Sequence, residues 1–427
     1  MKILKEIPEL LDAGIISQDT ADKINDYFLK KSRRSPNRLF LVFGLLGAIL
    51  VGLGVILIVA HNWDELSRLN KTIFSFLPML AGQFLCAYVL IRKANNQAWK
   101  ESSTAFLFLS IGATISLVSQ VYHIPGNLGS FLFTWMLIGL PLIYVMNSSV
   151  ASMFYLSGIT WYACETGYFT YPASEPYFFW LLLLLALPHY YLLYRRNPGS
   201  NFFLLHNWLF PLSVIITLGT LADTNENLMF ISYISLFGLL FMVGGLNFLK
   251  QHKSTNDGYI FLGSSGTLTL LMFLSFDWFW ESLRKDGFFT SSVFTSPEFY
   301  TVLIISFAAG FLFFKQIRSI RLNEMNPVMP VFILFILTYI LGVFTPYAVV
   351  LINLIILVIG IVTIRNGAKS DHLGVLNYGV LIITVLVICR FFDTDLSFVV
   401  RGGLFVLVGA GFFALNYWML RKRKGND

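Results

Sequence analysis

The chain has 427 residues, of which 56% are hydrophobic and only 12% charged, where a water-soluble domain carries roughly 25% charged residues. So little charge excludes a soluble globular protein and makes lipid the solvent. The net charge of +7 does not point to nucleic acid, because that requires basic residues gathered on one face and here they are scattered.

Residues 1–38 read as a short cytoplasmic helical hairpin. Ile3, Leu4, Ile7, Leu10 and Leu11 recur at helical spacing. Gly14 is the expected stop, and Ser17 the expected N-cap of a second helix carrying Ala21, Ile24, Tyr27 and Phe28. A hairpin this small has little core of its own, so it is expected to pack on the membrane domain or on a protein partner. Lys30, Lys31, Arg33, Arg34 and Arg38 then meet an anionic inner leaflet. A mixed-charge segment before the first apolar stretch is not a cleavable leader, so that stretch is expected to be a retained helix.

A membrane span needs about 20 mostly apolar residues. Residues 39–420 supply about fourteen such stretches: 39–61, 73–91, 102–122, 130–146, 149–167, 177–194, 202–221, 228–249, 259–278, 299–315, 328–345, 347–364, 372–390 and 396–418. The expected fold is all-α, a polytopic transmembrane helix bundle, closed by a basic tail at 421–427. Placing the N-terminus inside puts most of the 30 Lys and Arg residues in inner loops, as cytoplasmic loops require. Only Arg68, Lys71, Arg284 and Lys285 then fall in outer loops, with Arg390 and Arg401 at or within spans. Both ends are therefore expected in the cytoplasm. Met146–Ser149 and Thr345–Tyr347 leave almost no loop, and each is either a tight hairpin or a re-entrant feature.

Polar groups in lipid cost free energy, so where they collect is informative. On this map they gather in the outer half. The candidate cluster is Trp63, Asp64, Gln120, Tyr122, His123, Glu165, Asp277, Arg390, Asp393 and Arg401. Arg401 lies roughly 7–9 Å below the outer end of its helix. It reads either as the partner of Asp393 or Asp395 in a hairpin-locking ion pair or as a site for an anionic group. Glu165 is either solvated at the headgroups or buried and proton-coupled. His189 and His206 read as interface residues. Trp63-Asp64 and Asp277-Trp278 each put a Trp beside an acid at an outer boundary. Cys86, Cys164 and Cys389 lie in apolar segments and give neither a disulfide framework nor a zinc pattern. No metal, cofactor or nucleotide motif is present, and Gly52-Leu53-Gly54 sits mid-span as a packing element.

The N-terminal motifs resemble a family, domain of unknown function 2157 (DUF2157). They are Leu10-Leu11-Asp12-Ala13-Gly14-Ile15-Ile16, then Gly44-Leu45-Leu46-Gly47 through Gly52-Leu53-Gly54, then Asn62-Trp63-Asp64-Glu65. Gly112-Ala113-Thr114 through Ser119-Gln120-Val121-Tyr122-His123 is similar too, with Gly126 after it. The resemblance implies a multi-pass protein of the bacterial inner membrane and supplies no activity. Three functions fit the sequence. The first is a transporter- or flippase-like protein with an outward polar cavity. The second is a non-catalytic sensor or assembly component using residues 1–38. The third is an outer-face enzyme on a lipid-linked substrate, disfavoured because its longest outer loop, about 279–298, is short.

Overall fold

The computed structural model describes residues 63, 65–171, 176–246, 257–285, 291–318, 325–392 and most of 397–413, together with Ile7, Leu11, 13–15 and 17–24. The chain divides into two compact units, Met1–Phe74 and Ser75–Asp427. In the first, Gly14 takes a left-handed conformation (φ +69°) and its N–H bonds to Leu11 O. Ser17 Oγ accepts from Thr20 N and residues 18–24 are helical. The expected stop and cap are both in place. The expected span 39–61 and the tail 421–427 lie outside the described residues.

From Arg68 onward, thirteen α-helices follow one another, and no strand occurs among the described residues. They are α1 Arg68–Arg92, α2 Gln97–Tyr122, α3 Leu128–Val145, α4 Ser149–Cys164, α5 Tyr177–Arg196, α6 Asn201–Leu218, α7 Met229–Gly244, α8 Gly258–Phe273, α9 Asp277–Lys285, α10 Pro297–Ile317, α11 Val331–Phe344, α12 Ala348–Lys369 and α13 Leu373–Phe391. Nine are long and apolar enough to cross a bilayer, and a tenth span results if α8 and α9 count as one. Their starts are set by residues whose side chains accept the first free N–H groups. Asn96 accepts from Trp99 N, Asn127 from Ser130 N, Ser148 from Ala151 N, Ser200 from Phe203 N, Asp257 from Tyr259 N and Ser296 from Phe299 N. The outward faces are those of lipid-solvated helices: on α10, Ile304, Phe307, Phe311 and Phe314 are all exposed.

The helices alternate in direction. Side-chain contacts gather the starts of α2, α4, α6 and α8 at one end, with the ends of α5, α7 and α10. Glu101 accepts from Ser149 N at 3.1 Å, His206 Nε2 lies 2.9 Å from Ser152 Oγ, Tyr190 lies 2.5 Å from Asn207, and Gln316 donates to Met242 O at 2.8 Å. Arg92, Lys100, Arg195, Arg196 and Lys315 sit on these same termini. At the opposite end, Glu298 Oε1 accepts from Asp223 N at 2.6 Å and Asn225 N at 2.9 Å, and Tyr339 donates to Asn227 O at 3.1 Å. The 146–148 connection is a tight hairpin turned by Asn147 (φ 47°). Helix α3 lies along α4, with Phe133 against Tyr162.

Two large apolar cores form, with smaller clusters around Val89 and Leu107 and around Leu218 and Leu236. One joins α2–α6 around Phe108, Met136, Tyr155, Phe179 and Phe210. The other joins α7–α13 around Leu271, Trp280, Phe335, Ile352 and Ile356. The expected single span 259–278 is corrected here, because α8 stops at Phe273 and α9 leaves at 71°. Trp280 causes the break: it is fully buried and its Nε1–H bonds to Leu274 O at 2.8 Å, closing the elbow. The region expected as an outer loop, 279–298, is thus partly packed helix.

Glycines let backbones meet where the helices cross. A Cβ on Gly263 would stand 2.6 Å from Phe241 N, whereas one on Gly310 would meet nothing within 4 Å. Gly263→Ala is therefore expected to destabilise the bundle by about 1–3 kcal/mol and Gly310→Ala to leave it unchanged, as read from thermal melting of the purified protein in detergent.

Candidate functional site

The expected outer cluster separates into two groups on different cores. Gln120, Tyr122 and His123 end α2 and are exposed. His123 is the helix stop: it holds φ 51° and its N–H bonds to Gln120 O. Glu165, half-buried, opens a π-helical turn at Glu165–Phe169 that continues α4. The second group surrounds the α8–α9 elbow. Asp277 pairs with Arg284 at 3.2 Å. Arg390 donates to Ser275 Oγ at 3.1 Å and lies over the Phe276 ring at 4.5 Å. Asn353 donates to Ser275 O at 3.0 Å, so two helices satisfy the polar atoms of Ser275, which is buried at the elbow. Trp63 is half-buried. Arg401 lies over the Phe398 ring at 5.8 Å. Asp64, Asp393 and Asp395 lie outside the described residues.

A different constellation is buried between α4 and α6. At its Lys- and Arg-rich end, Glu101 of α2 turns its carboxylate onto the start of α4. It accepts from Ser148 Oγ at 2.5 Å, Ser149 N at 3.1 Å and Val150 N at 2.9 Å. These are the free donors of a helix start, where the macrodipole favours negative charge. One turn further along α4, Ser152 meets His206. The Nδ1 of His206 faces Phe202 O at 2.7 Å, and a carbonyl only accepts, so in the neutral ring Nδ1 carries the proton and Nε2 accepts from Ser152. His189 packs beside it, the rings tilted at 50° with centroids 6.0 Å apart. Both its nitrogens are buried and have no hydrogen-bond partner among the described residues.

The polar line continues along the same two helices. Thr160 Oγ1 lies 2.5 Å from Ser213 Oγ. Thr217 donates to Ser213 O at 2.8 Å and Thr220 to Thr217 O at 2.7 Å. Gly167 then brings the end of α4 against Thr220. On α6 the residues are His206, Ser213, Thr217 and Thr220, one face at helical spacing. A cavity of about 360 Å³ opens beside the Thr160–Ser213 pair, lined also by Trp161, Cys164, Phe169 and Leu212.

His189 and His206, expected at the interface, are instead 1% and 0% exposed. Their nearness to helix ends suggested headgroups, but α4, α5 and α6 enclose them. Glu101 was missed because the expected span began at 102, which left it in a loop; α2 begins at Gln97. The signal available was a lone acid beside Lys100 in an inner segment otherwise rich in basic residues. Removing the Glu101 carboxylate strands a hydroxyl and two N–H groups. Glu101→Ala is expected to destabilise the protein by about 3 kcal/mol and Glu101→Gln, which keeps one acceptor oxygen, by clearly less, both read as shifts in the melting of the detergent-solubilised chain.

No curated protein and no solved structure matches this chain. Residues 8–152 match a family model, and that stretch takes in Glu101, Ser148 and Ser152 of the buried line. The family model describes a "predicted membrane protein (DUF2157)", the family that the N-terminal motifs resemble, and the match covers about a third of the chain, which has several helices apolar enough to cross a membrane.

Proposed function

We propose that this protein is transporter-like and that a small polar species crosses along the α4–α6 seam. The observation that carries this reading is the succession of polar clusters along one crossing, Glu101–Ser148 and Ser152–His206 at one end and Thr160–Ser213, Thr217 and Thr220 toward the other, with Leu156 and Phe210 between them. At 1.5 Å per residue, Ser148 to Gly167 spans about 28 Å, the thickness of the hydrocarbon core. Hydroxyl pairs alone are ordinary glue between membrane helices. A carboxylate and two imidazoles at one end are more than packing needs, since ionisable groups inside a membrane are expensive to keep there. The cavity beside Thr160 and Ser213 supplies room along the seam.

The location follows the same reading. The family resemblance implies a bacterial inner membrane, and the Lys- and Arg-rich end, with Glu101 and His206, faces the cytoplasm by the positive-inside rule. The outer group Gln120, Tyr122, His123 and Glu165 then stands at the far mouth of the α2–α6 half. Arg390 and Asp277 fix the elbow of the other half.

The seam can be tested without knowing the solute. In a chain with Cys86, Cys164 and Cys389 replaced by Ala, Ser213→Cys and Thr217→Cys are expected to react with a charged, membrane-impermeant thiol reagent in oriented vesicles. Phe307→Cys, on a lipid-facing surface, is expected to stay unmodified. Inert cysteines at both seam positions, from either side of the membrane and in a folded protein, would reduce the seam to packing.

A further inference from the structure

A second cavity, of about 760 Å³, lies between α1, α2 and α3, toward the end of the bundle that carries His123. Its volume is in the range of small-molecule sites. Among the described residues, no Lys, Arg, Asp or Glu lines it. Its polar lining comes from Thr114, Ser116, Ser119, Asn127, Ser130 and Thr134, and the rest is apolar.

The hydrogen bonds of these hydroxyls decide what they can still do. Thr114 donates to Ser75 O at 2.8 Å, Ser119 to Ile124 O at 3.1 Å, Ser130 to Asn127 O at 2.8 Å and Thr134 to Ser130 O at 2.8 Å. Each has one proton and has given it to a backbone carbonyl, so what remains toward the cavity is acceptor lone pairs. Phosphate and carboxylate are acceptors only and find no cation among the described lining residues; the side-chain donors left to them are Ser116 Oγ and the Asn127 amide, against the lone pairs of four hydroxyls. A group bearing O–H finds several acceptors. The polarity is also graded. Asn127 and Ser130 stand at the start of α3, whereas Thr114 lies eight residues before the end of α2, about 12 Å along the helix. The deeper surface is apolar, with Ile111, Met79 and Ile138. Ile138, Phe76 and Leu128 on its rim are exposed, so the cavity opens to the acyl region.

We infer that this cavity binds an uncharged, hydroxyl-bearing lipid, its polar end between Ser119 and Ser130 and its acyl chain over Ile111 and Ile138. A diacylglycerol is the simplest molecule of that class. The inference stands apart from the α4–α6 seam and fails or holds independently of it.

The test uses the full chain in phosphatidylcholine nanodiscs and a diacylglycerol carrying a photoactivatable diazirine in one acyl chain. Labelling is expected in peptides covering 111–138 and is expected to be competed by dioleoylglycerol but not by dioleoyl phosphatidic acid. Ser116→Trp, at an exposed lining position, is expected to abolish it by filling the cavity. Thr134→Val, which keeps shape and removes one acceptor, is expected to weaken it about fivefold, the worth of one hydrogen bond. Should Ser116→Trp fail to fold, the near-isosteric Thr134→Val still decides. Equal competition by phosphatidic acid, or wild-type labelling in the folded variants, would overturn the inference.

Discussion

Hydrocarbon offers no hydrogen bonds, and that constraint shapes every level of this structure. A backbone crossing it must satisfy its own N–H and C=O groups, which leaves helices as the economical choice. The constraint falls hardest on helix ends, where several donors and acceptors lack intrahelical partners. This chain answers with short polar caps at many of its helix starts and, twice, with a carboxylate from another helix. Glu101 satisfies the start of α4, and Glu298 the backbone of the α6–α7 connection. Each acid ties two helices of opposite sequence distance into one end of the bundle, so the polar requirement that makes the helices also orders them.

The same constraint gives the α4–α6 seam its meaning. Apolar packing would have closed this crossing as it closes both cores. Instead the two helices face each other with Ser148, Ser152, Thr160, Gly167, His206, Ser213, Thr217 and Thr220. Interhelical hydroxyl bonds in membranes are individually weak, so such an interface can separate and re-form at modest expense. That property suits the path proposed within the α2–α6 half better than it suits a static core.

Much of the bundle could be read from the residues. Hydropathy located α1 to α8 and α10 to α13 to within about five positions, because a span's length is dictated by bilayer thickness and not by tertiary detail. Lys and Arg placement gave the alternation that the contacts display. Caps such as Ser17 and stops such as Gly14 act locally and were equally visible. The α8–α9 elbow was not, because Leu274 to Trp280 contains no Pro or Gly and stays aromatic; the break is made by Trp280 and Asn353 reaching back from elsewhere. The site was legible by depth but not by face. Counting residues from a helix end placed Gln120, Glu165 and Arg390 in one layer, yet says nothing of which neighbour each faces, and they divide between two cores. For the same reason His189 and His206, close to helix ends, were taken for interfacial groups when they point inward.

The central claim is that apolar rods cross the bilayer in strict alternation, with the basic termini and the Glu101–His206 end in the cytoplasm. Single cysteines at Asp223 and Arg195, in a chain without its native cysteines, test it most directly. In intact cells an impermeant thiol reagent should modify Asp223→Cys at once and Arg195→Cys only after the membrane is permeabilised. Modification of both from the same side would contradict the alternation, and with it the direction assigned to the seam.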